Sequence, residues 1–208
     1  MDSNNCDFSP MKRQIETDMK HLIHQLQSNL DLLGNKNYCL LGNLESIKDQ
    51  LIAIESMAAS FYLNCYLSSF TDTYEDLTTT VQHLSKDKHG ALIIVERLDP
   101  LDNIIQKGIP IRAMVSPKLL ESIFYPGNPL HDGAVLIRGN VVDSAANVLP
   151  LTSKLIHEGK YGTRHRAAIG LSEQSDALVL VVSEETGKIS FSLDGKLYPI
   201  NTTQPIIL

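Results

Sequence analysis

Three short, continuous apolar runs constrain the fold of this chain more than any other feature of its sequence. They occupy residues 91–95, 135–137 and 177–182 and are rich in Val, Ile and Leu. Runs of this length without polar alternation are typical of strands buried on both faces. Stretches of helix-forming composition lie between and after them, around residues 118–124 and 164–174. The sequence therefore predicts an α/β fold in which helices flank a mixed central β-sheet.

The N-terminal third has a different pattern. Apolar residues recur at steps of three and four over residues 15–33, where Gly34 ends the repeat, and again over residues 44–61. These steps place apolar side chains on one face of a helix, so the sequence predicts a two-helix hairpin ahead of the sheet. We predict two domains, a helical hairpin over residues 1–66 and an α/β domain over residues 67–208.

Composition and charge narrow the function classes. The 208 residues are 43% hydrophobic, which is enough for one good core and a small appendage. The formal net charge of −6 argues against nonspecific nucleic-acid binding, which needs a basic field. The chain contains no Walker sequence and no Gly-x-Gly-x-x-Gly fingerprint, which disfavours the common P-loop and dinucleotide-binding folds.

Targeting signals are also missing from the sequence. The N-terminus is polar, and no apolar run approaches the roughly eighteen residues of a membrane span. The three cysteines, Cys6, Cys39 and Cys65, have neither CxxC pairing nor metal-ligand spacing, which is typical of reduced thiols. We expect a cytoplasmic protein that binds neither membranes nor nucleic acid.

The first candidate site is the turn His131-Asp132-Gly133, which enters one of the apolar runs. A carboxylate beside a glycine at a strand edge can reach a ligand, and the glycine allows close backbone approach. A plain Asp-Gly turn is the simpler interpretation of these residues alone.

The second candidate is the sequence Gly162-Thr163-Arg164-His165-Arg166, at the start of a predicted helix with Thr163 as its N-cap. Cations in the first turn oppose the helix dipole unless an anion is shared between them and the free N–H groups. A phosphate chain would satisfy that arrangement. A solvated basic turn or a set of structural salt bridges is an equally good interpretation.

The third candidate is the cluster Ser183-Glu184-Glu185, where the last apolar run turns back into the following strand. Carboxylates at the carboxyl end of a strand can contact a metal or a ribose. Exposed acids in a hairpin turn explain this cluster equally simply.

Taken together, these motifs resemble the diadenylate cyclase domain, because Asp-Gly-Ala, Gly-Thr-Arg-His-Arg-Ala-Ala and Ser-Glu-Glu-Thr-Gly occur in that order from about residue 67 onward. The resemblance implies a mixed sheet with helices, and it implies condensation of two ATP molecules into cyclic di-AMP with release of two pyrophosphates. The short soluble form associated with sporulating bacilli, which has two N-terminal helices, is similar in layout.

The resemblance also implies roles for individual residues. Asp132 would activate the attacking 3′-hydroxyl, Gly133 would allow backbone approach, and His131 would lie at a divalent metal. Arg164 and His165 would act on the phosphates. On the phosphate and metal side, the remaining substrate-binding residues would be Thr163, Arg166, Ser183 and Glu185. Arg166 would be more structural than catalytic. The residues around the adenine would be Val148, Leu149 and Pro150.

A metal and a partner subunit follow from the same resemblance. A triphosphate carries about four negative charges, so a divalent cation (Mn²⁺, Mg²⁺ or Co²⁺) is expected. Two protomers would face each other with one ATP each, within a homo-oligomer as large as a hexamer. We expect the N-terminal hairpin to restrain activity by keeping sites apart, although packing on its own domain is the simpler role.

Two other function classes remain open at this stage. One is a catalytically silent sensor of ATP or cyclic di-AMP, and the other is a purely structural oligomerising protein. A role in DNA scanning is disfavoured, because the chain lacks the appended helical module of longer relatives.

Overall fold

The computed structural model describes residues 9–35, 39–154 and 161–200. Within these ranges the chain forms five helices and seven strands. The helices are α1 (Ser9–Asp31), α2 (Leu40–Ser68), α3 (Tyr74–Lys86), α4 (Pro117–Ile123) and α5 (Thr163–Ser172). The strands are β1 (Ala91–Val95), β2 (Ile109–Met114), β3 (Ala134–Arg138), β4 (Val141–Asn147), β5 (Leu178–Val182), β6 (Ile189–Leu193) and β7 (Lys196–Ile200).

The described residues divide into two compact units, with the boundary between Tyr62 and Leu63, inside α2. In the first unit, α1 and α2 share a small apolar cluster made of Ile15, Leu22, Ile47 and Ile54. Much of the predicted apolar seam is exposed on this chain: Met19, Ile23, Leu26, Leu30, Leu44 and Leu51. None of the helices in the described part is both long and apolar enough to span a membrane.

The second unit is built on one seven-stranded sheet in the order β2-β4-β3-β1-β5-β6-β7. Strands β1 and β3 are parallel, whereas every other neighbouring pair is antiparallel. The sheet is therefore mixed, as the sequence predicts. The three apolar runs form the central strands β3, β1 and β5, and residues in all three are almost completely buried. A hairpin turn at Gly139 joins β3 to β4.

Both faces of the central strands are covered. Leu92 and Ile94 of β1 share a core cluster with Ala168 and Leu171 of α5. Their neighbour Ile93 faces the other way, because strand side chains alternate, and it is also fully buried. Helix α3 packs against β5, β6 and α4. The strand ends, where the candidate residues lie, therefore extend from a sheet that is packed on both faces.

The thiols differ from the sequence-based expectation. Cys39 is exposed and free, in line with the prediction of reduced thiols. Cys65 is disulfide-bonded, so the prediction is wrong for that residue. Cys6 lies outside the described residues.

Candidate functional site

Strand pairing brings the candidate motifs to one edge of the sheet. Ala91, the first residue of β1, is paired with Val182, the last residue of β5. Ala134, the first residue of β3, is paired with Asn147, the last residue of β4. The start of one strand therefore lies beside the end of its neighbour in both pairs. As a result the acid turn, the predicted adenine-lining segment and the Ser-Glu-Glu cluster share this edge.

The basic helix start joins them through an ion pair. Arg164, in the first turn of α5, donates from Nη1 to Glu184 Oε2 at 2.7 Å. Its guanidinium also lies against Gly90, the residue just before β1, because a Cβ built on Gly90 would be 2.3 Å from Nη1. The two distant sequence motifs thus form one cluster with Gly90, a residue that no motif indicates.

No side chain among the described residues caps the N-terminus of α5. Its N-cap is Gly162 and not the predicted Thr163, because Thr163 is the first helical residue. A glycine has no side chain with which to cap the helix, so the N–H groups of the first turn remain available to a ligand. Thr163 and Arg166 are exposed there, and Arg164 and His165 are half-buried.

The acid turn is fixed by close backbone packing. Gly133 has φ +108°, and a Cβ at this position would lie 2.8 Å from the carbonyl oxygen of Asn147. Only glycine combines that conformation with that approach. Asp132 is exposed and leads directly into this position, so its carboxylate faces solvent at the edge of the sheet.

His131 is oriented by the loop before it. Its Nδ1 lies 2.6 Å from the carbonyl oxygen of Asn128. A carbonyl oxygen only accepts, so Nδ1 is the donor and the lone pair of a neutral ring is on Nε2. The side chain of Asn128 is itself tied by bonds to Ser122 O (2.8 Å) and from Leu130 N (2.9 Å).

Nearby charges and burial lower the pKa values of two groups in the cluster, Glu184 and His165. The hydrogen bond from Arg164, followed by its charge, lowers the pKa of Glu184, and His131 and His89 add to that effect. Burial, followed by the charge of Arg164, lowers the pKa of His165, while Glu185 opposes the change. The imidazole of His165 also stacks on Tyr161, with ring centroids 5.6 Å apart. Burial and the charge of Arg164 therefore favour the neutral form of the His165 imidazole.

The predicted adenine-lining segment follows β4. The side chain of Val148 is exposed, and its backbone exchanges two hydrogen bonds of 3.0 Å with Gln106. Leu149 is buried in the core cluster, so only its backbone is left for a ligand. Pro150 is half-buried.

Two predicted residues are engaged in local structure. Ser183 Oγ accepts from the N–H of Thr186 at 3.3 Å, within the turn that follows β5. The carbonyl oxygen of Arg166 accepts from the N–H of Thr152 at 3.1 Å, which ties α5 to the segment after Pro150.

Metal ligands are sparse at this edge. Among residues 9–35, 39–154 and 161–200, no three His, Cys, Asp or Glu side chains are arranged to hold an ion by themselves. His131 nevertheless has the form of a metal-binding histidine, because one ring nitrogen donates to a carbonyl and the other keeps its lone pair.

Two family models match the chain. "DisA bacterial checkpoint controller nucleotide-binding" covers residues 78–197, and "Diadenylate cyclase CdaS, N-terminal" covers residues 2–70.

Curated relatives extend over nearly the whole sequence. The chain is 48% identical to "Diadenylate cyclase CdaS" of Bacillus thuringiensis (strain BMB171), over 92% of this chain and 97% of the relative. It is 49% identical to "Cyclic di-AMP synthase CdaS" of Bacillus subtilis (strain 168), over 91% of each.

Solved structures agree. A Bacillus cereus protein described as a "hypothetical membrane spanning protein" matches with a TM-score of 0.76 and 48% identity, over 92% of this chain and 94% of the other. A crystal structure of DacA from Staphylococcus aureus matches with a TM-score of 0.59 and 43% identity, over 62% of this chain and 85% of the other.

Proposed function

This chain belongs to the diadenylate cyclases of the CdaS type, and we propose that it condenses two molecules of ATP into cyclic di-AMP and releases two pyrophosphates. The observation that carries the proposal is the ion pair between Arg164 and Glu184, which assembles the helix start and the Ser-Glu-Glu turn at the edge that bears Asp132. Acids, cations and backbone donors are the groups that this phosphoryl-type transfer needs. A catalytically silent sensor is not favoured.

Asp132 is the proposed catalytic base. In each half-reaction the 3′-oxygen of one ATP forms a bond to the α-phosphorus of the other, and the bond from that phosphorus to pyrophosphate breaks. The hydroxyl proton passes to Asp132, whose exposed carboxylate stands at the sheet edge. Gly133 lets the backbone of this turn lie close to β4, which holds the carboxylate in place.

The start of α5 is the proposed phosphate site. Thr163, Arg164 and His165 present donors and a guanidinium beside the positive end of the helix. The same groups stabilise the charge that develops on the phosphate in the transition state. His165 does so as a neutral donor, since burial and Arg164 keep its pKa low.

The other substrate contacts divide between the two ends of the nucleotide. Ser183 and Glu185 lie on the phosphate side, and Arg166 supports α5 through its backbone bond to Thr152. On the adenine side we propose Val148, Leu149 and Pro150, with Leu149 acting through its backbone.

A divalent cation fits His131. The Nδ1 of its ring is held by the carbonyl oxygen of Asn128, which leaves Nε2 for a ligand. The described residues supply no complete ligand set, so phosphate oxygens would complete the coordination. When bound, the cation neutralises triphosphate charge and polarises the phosphate under attack. A histidine ligand favours Mn²⁺ or Co²⁺ over Mg²⁺.

We propose that residues 67–208 are the catalytic domain and that the helical hairpin of residues 1–66 is a regulatory and oligomerising element. Exposed apolar side chains along α1, including Ile23, Leu26 and Leu30, support an interface with other copies. Two catalytic domains must face each other for turnover, so a homo-oligomer, up to a hexamer, that keeps them apart lowers activity. Such an enzyme would work in the cytoplasm, where its ATP is made, without nucleic acid or membrane partners.

The test is to incubate the purified chain with ATP and Mn²⁺ or Mg²⁺ and to quantify both products. We expect two pyrophosphates for each cyclic di-AMP, measured by liquid chromatography with mass spectrometry and an enzymatic pyrophosphate assay. A ratio of one, with a linear dinucleotide, would contradict the face-to-face arrangement. ATP binding without either product would support the silent sensor instead.

A further inference from the structure

We propose that Gly90 and Glu184 form a slot that positions the guanidinium of Arg164 for the triphosphate. Both are positioning residues, since they act through Arg164. The inference rests on the proposed function only in taking ATP as the ligand that Arg164 contacts.

One wall of the slot is the bare Cα of Gly90. This residue is buried and stands at the entrance to β1. A Cβ at this position would lie 2.3 Å from Nη1 and 2.7 Å from Cζ of Arg164, both far below van der Waals contact. The third neighbour is Cβ of Glu184, at 3.0 Å. The guanidinium therefore occupies the volume that any side chain larger than glycine would fill.

The other wall is the carboxylate of Glu184. It accepts from Nη1 at 2.7 Å. The guanidinium has five donors in a fixed plane, so one bond to a carboxylate leaves others for phosphate oxygens. Glu184 thus sets the plane of the fork without using all of its donors.

Substitution at Gly90 should displace the side chain of Arg164 while leaving the fold largely intact. The two closest atoms are the far end of a flexible side chain that is partly exposed, so it can swing aside. The backbone of Gly90 is not in the left-handed region, so alanine adopts its conformation without strain. Gly90→Ala is therefore a way to move the guanidinium while leaving Arg164 in the chain.

The experiment is a double-mutant cycle on nucleotide affinity. The probe is 3′-deoxy-ATP with Mn²⁺, which lacks the attacking hydroxyl and so binds without reacting; its Kd is measured by titration calorimetry for the parent, Gly90→Ala, Arg164→Ala and the double variant. We expect Gly90→Ala to weaken binding about ten-fold or more in the parent, the scale of one charged hydrogen bond. In the Arg164→Ala background the same change should have less than about a two-fold effect.

The control is Gly42→Ala, in the helical hairpin, where the one contact of a Cβ with the described residues would be Cys39 Sγ at 3.3 Å. It should leave the Kd unchanged. If Gly90→Ala does not fold, as judged by its melting curve, Glu184→Gln takes its place in the same cycle, because it keeps the side-chain shape and removes the charge.

The proposal would be overturned if Gly90→Ala weakened binding of 3′-deoxy-ATP equally in both backgrounds. It would also be overturned if Gly90→Ala bound the nucleotide as tightly as the parent does. The cycle is independent of turnover, so it remains readable if the parent makes no cyclic di-AMP. In that case the proposed function is wrong, whereas the double-mutant cycle still decides whether Gly90 and Glu184 position Arg164.

Discussion

Asn147 Nδ2 donates to the carbonyl oxygen of Ala134 at 2.8 Å and so fastens the end of β4 to the start of β3. Its Oδ1 accepts from the N–H of Gly108 at 3.0 Å and from Ser144 Oγ at 2.9 Å. The side chain is fully buried. One amide therefore connects the turn that carries Asp132 with the segment proposed to hold adenine.

Replacing this amide should destabilise the second unit. Asn147→Ala removes a hydrogen-bond partner from the N–H of half-buried Gly108 and from the carbonyl oxygen of buried Ala134, which we expect to cost about 2–4 kcal/mol of unfolding free energy. Urea denaturation checks the value. Asn103→Ala, at an exposed asparagine, is the matched control and should change stability by less than about 0.5 kcal/mol. Equal stability of the two variants would show that the amide does not hold the strands.

The lowered pKa of His165 predicts a pH dependence of stability. Its value in the folded chain is below 6.5, the value expected when unfolded. Between these two values the unfolded chain binds more protons, so stability falls as the pH drops through that window and is fully present above 6.5. We therefore expect His165→Gln to lose less melting temperature than the parent as the pH is lowered from neutrality.

Exposed His21 supplies the comparison, and His21→Gln should follow the parent curve. A His165→Gln curve that runs parallel to the parent across the whole range would contradict a buried, neutral imidazole.

Metal dependence should involve His131. A chelator is expected to abolish product formation, and added Mn²⁺ to restore it. His131→Ala should raise the Mn²⁺ concentration needed for half-maximal rate by about ten-fold or more, and should reduce the preference for Mn²⁺ over Mg²⁺. The rate of cyclic di-AMP formation across a metal titration gives both numbers. Unaltered titrations in the variant would remove His131 from the metal site.

Removing the hairpin should raise turnover per site if it restrains the enzyme. The truncation is best made to begin at Leu63, because Leu63 and Leu67 are buried (3% and 1% exposed). It also keeps the cation–π contacts of Arg97 with Tyr66 and Phe70, at 5.7 and 4.7 Å. Initial rates of the truncated and parent chains, with melting curves as the folding control, decide the matter. Unchanged or lower turnover in a folded truncated chain would show that the hairpin does not restrain the enzyme.

The local sequence is sufficient to predict those strands whose residues are all buried. The apolar runs specify β1 and β5 because strands buried on both faces need no polar alternation. Edge strand β2 gives no such signal, since it is mostly exposed, contains Pro110 and has Arg112 at φ +54°. Its pairing with β4 comes from tertiary contacts that no short window contains.

The site itself was predicted as separate motifs and not as an assembly. Nothing near Gly90 indicates that Arg164 lies against it, because their proximity depends on the pairing of β1 with β5 and on the packing of α5. Glu184 appeared only as one acid of an exposed turn, and its partner is fixed by the same packing. A glycine placed directly before a buried strand was the single local hint.

The most direct test of the account is cyclic di-AMP formation from ATP and Mn²⁺ by the parent and by Asp132→Asn, measured by liquid chromatography with mass spectrometry. The substitution keeps the shape of the side chain and removes the proton acceptor, so we expect product from the parent and a rate at least about 100-fold lower from the variant. Binding of 3′-deoxy-ATP should stay within a few-fold and serves as the control. Equal rates would show that Asp132 does not take part in the chemistry. If neither the parent nor the truncated chain that begins at Leu63 formed cyclic di-AMP, the assignment as a diadenylate cyclase would be contradicted.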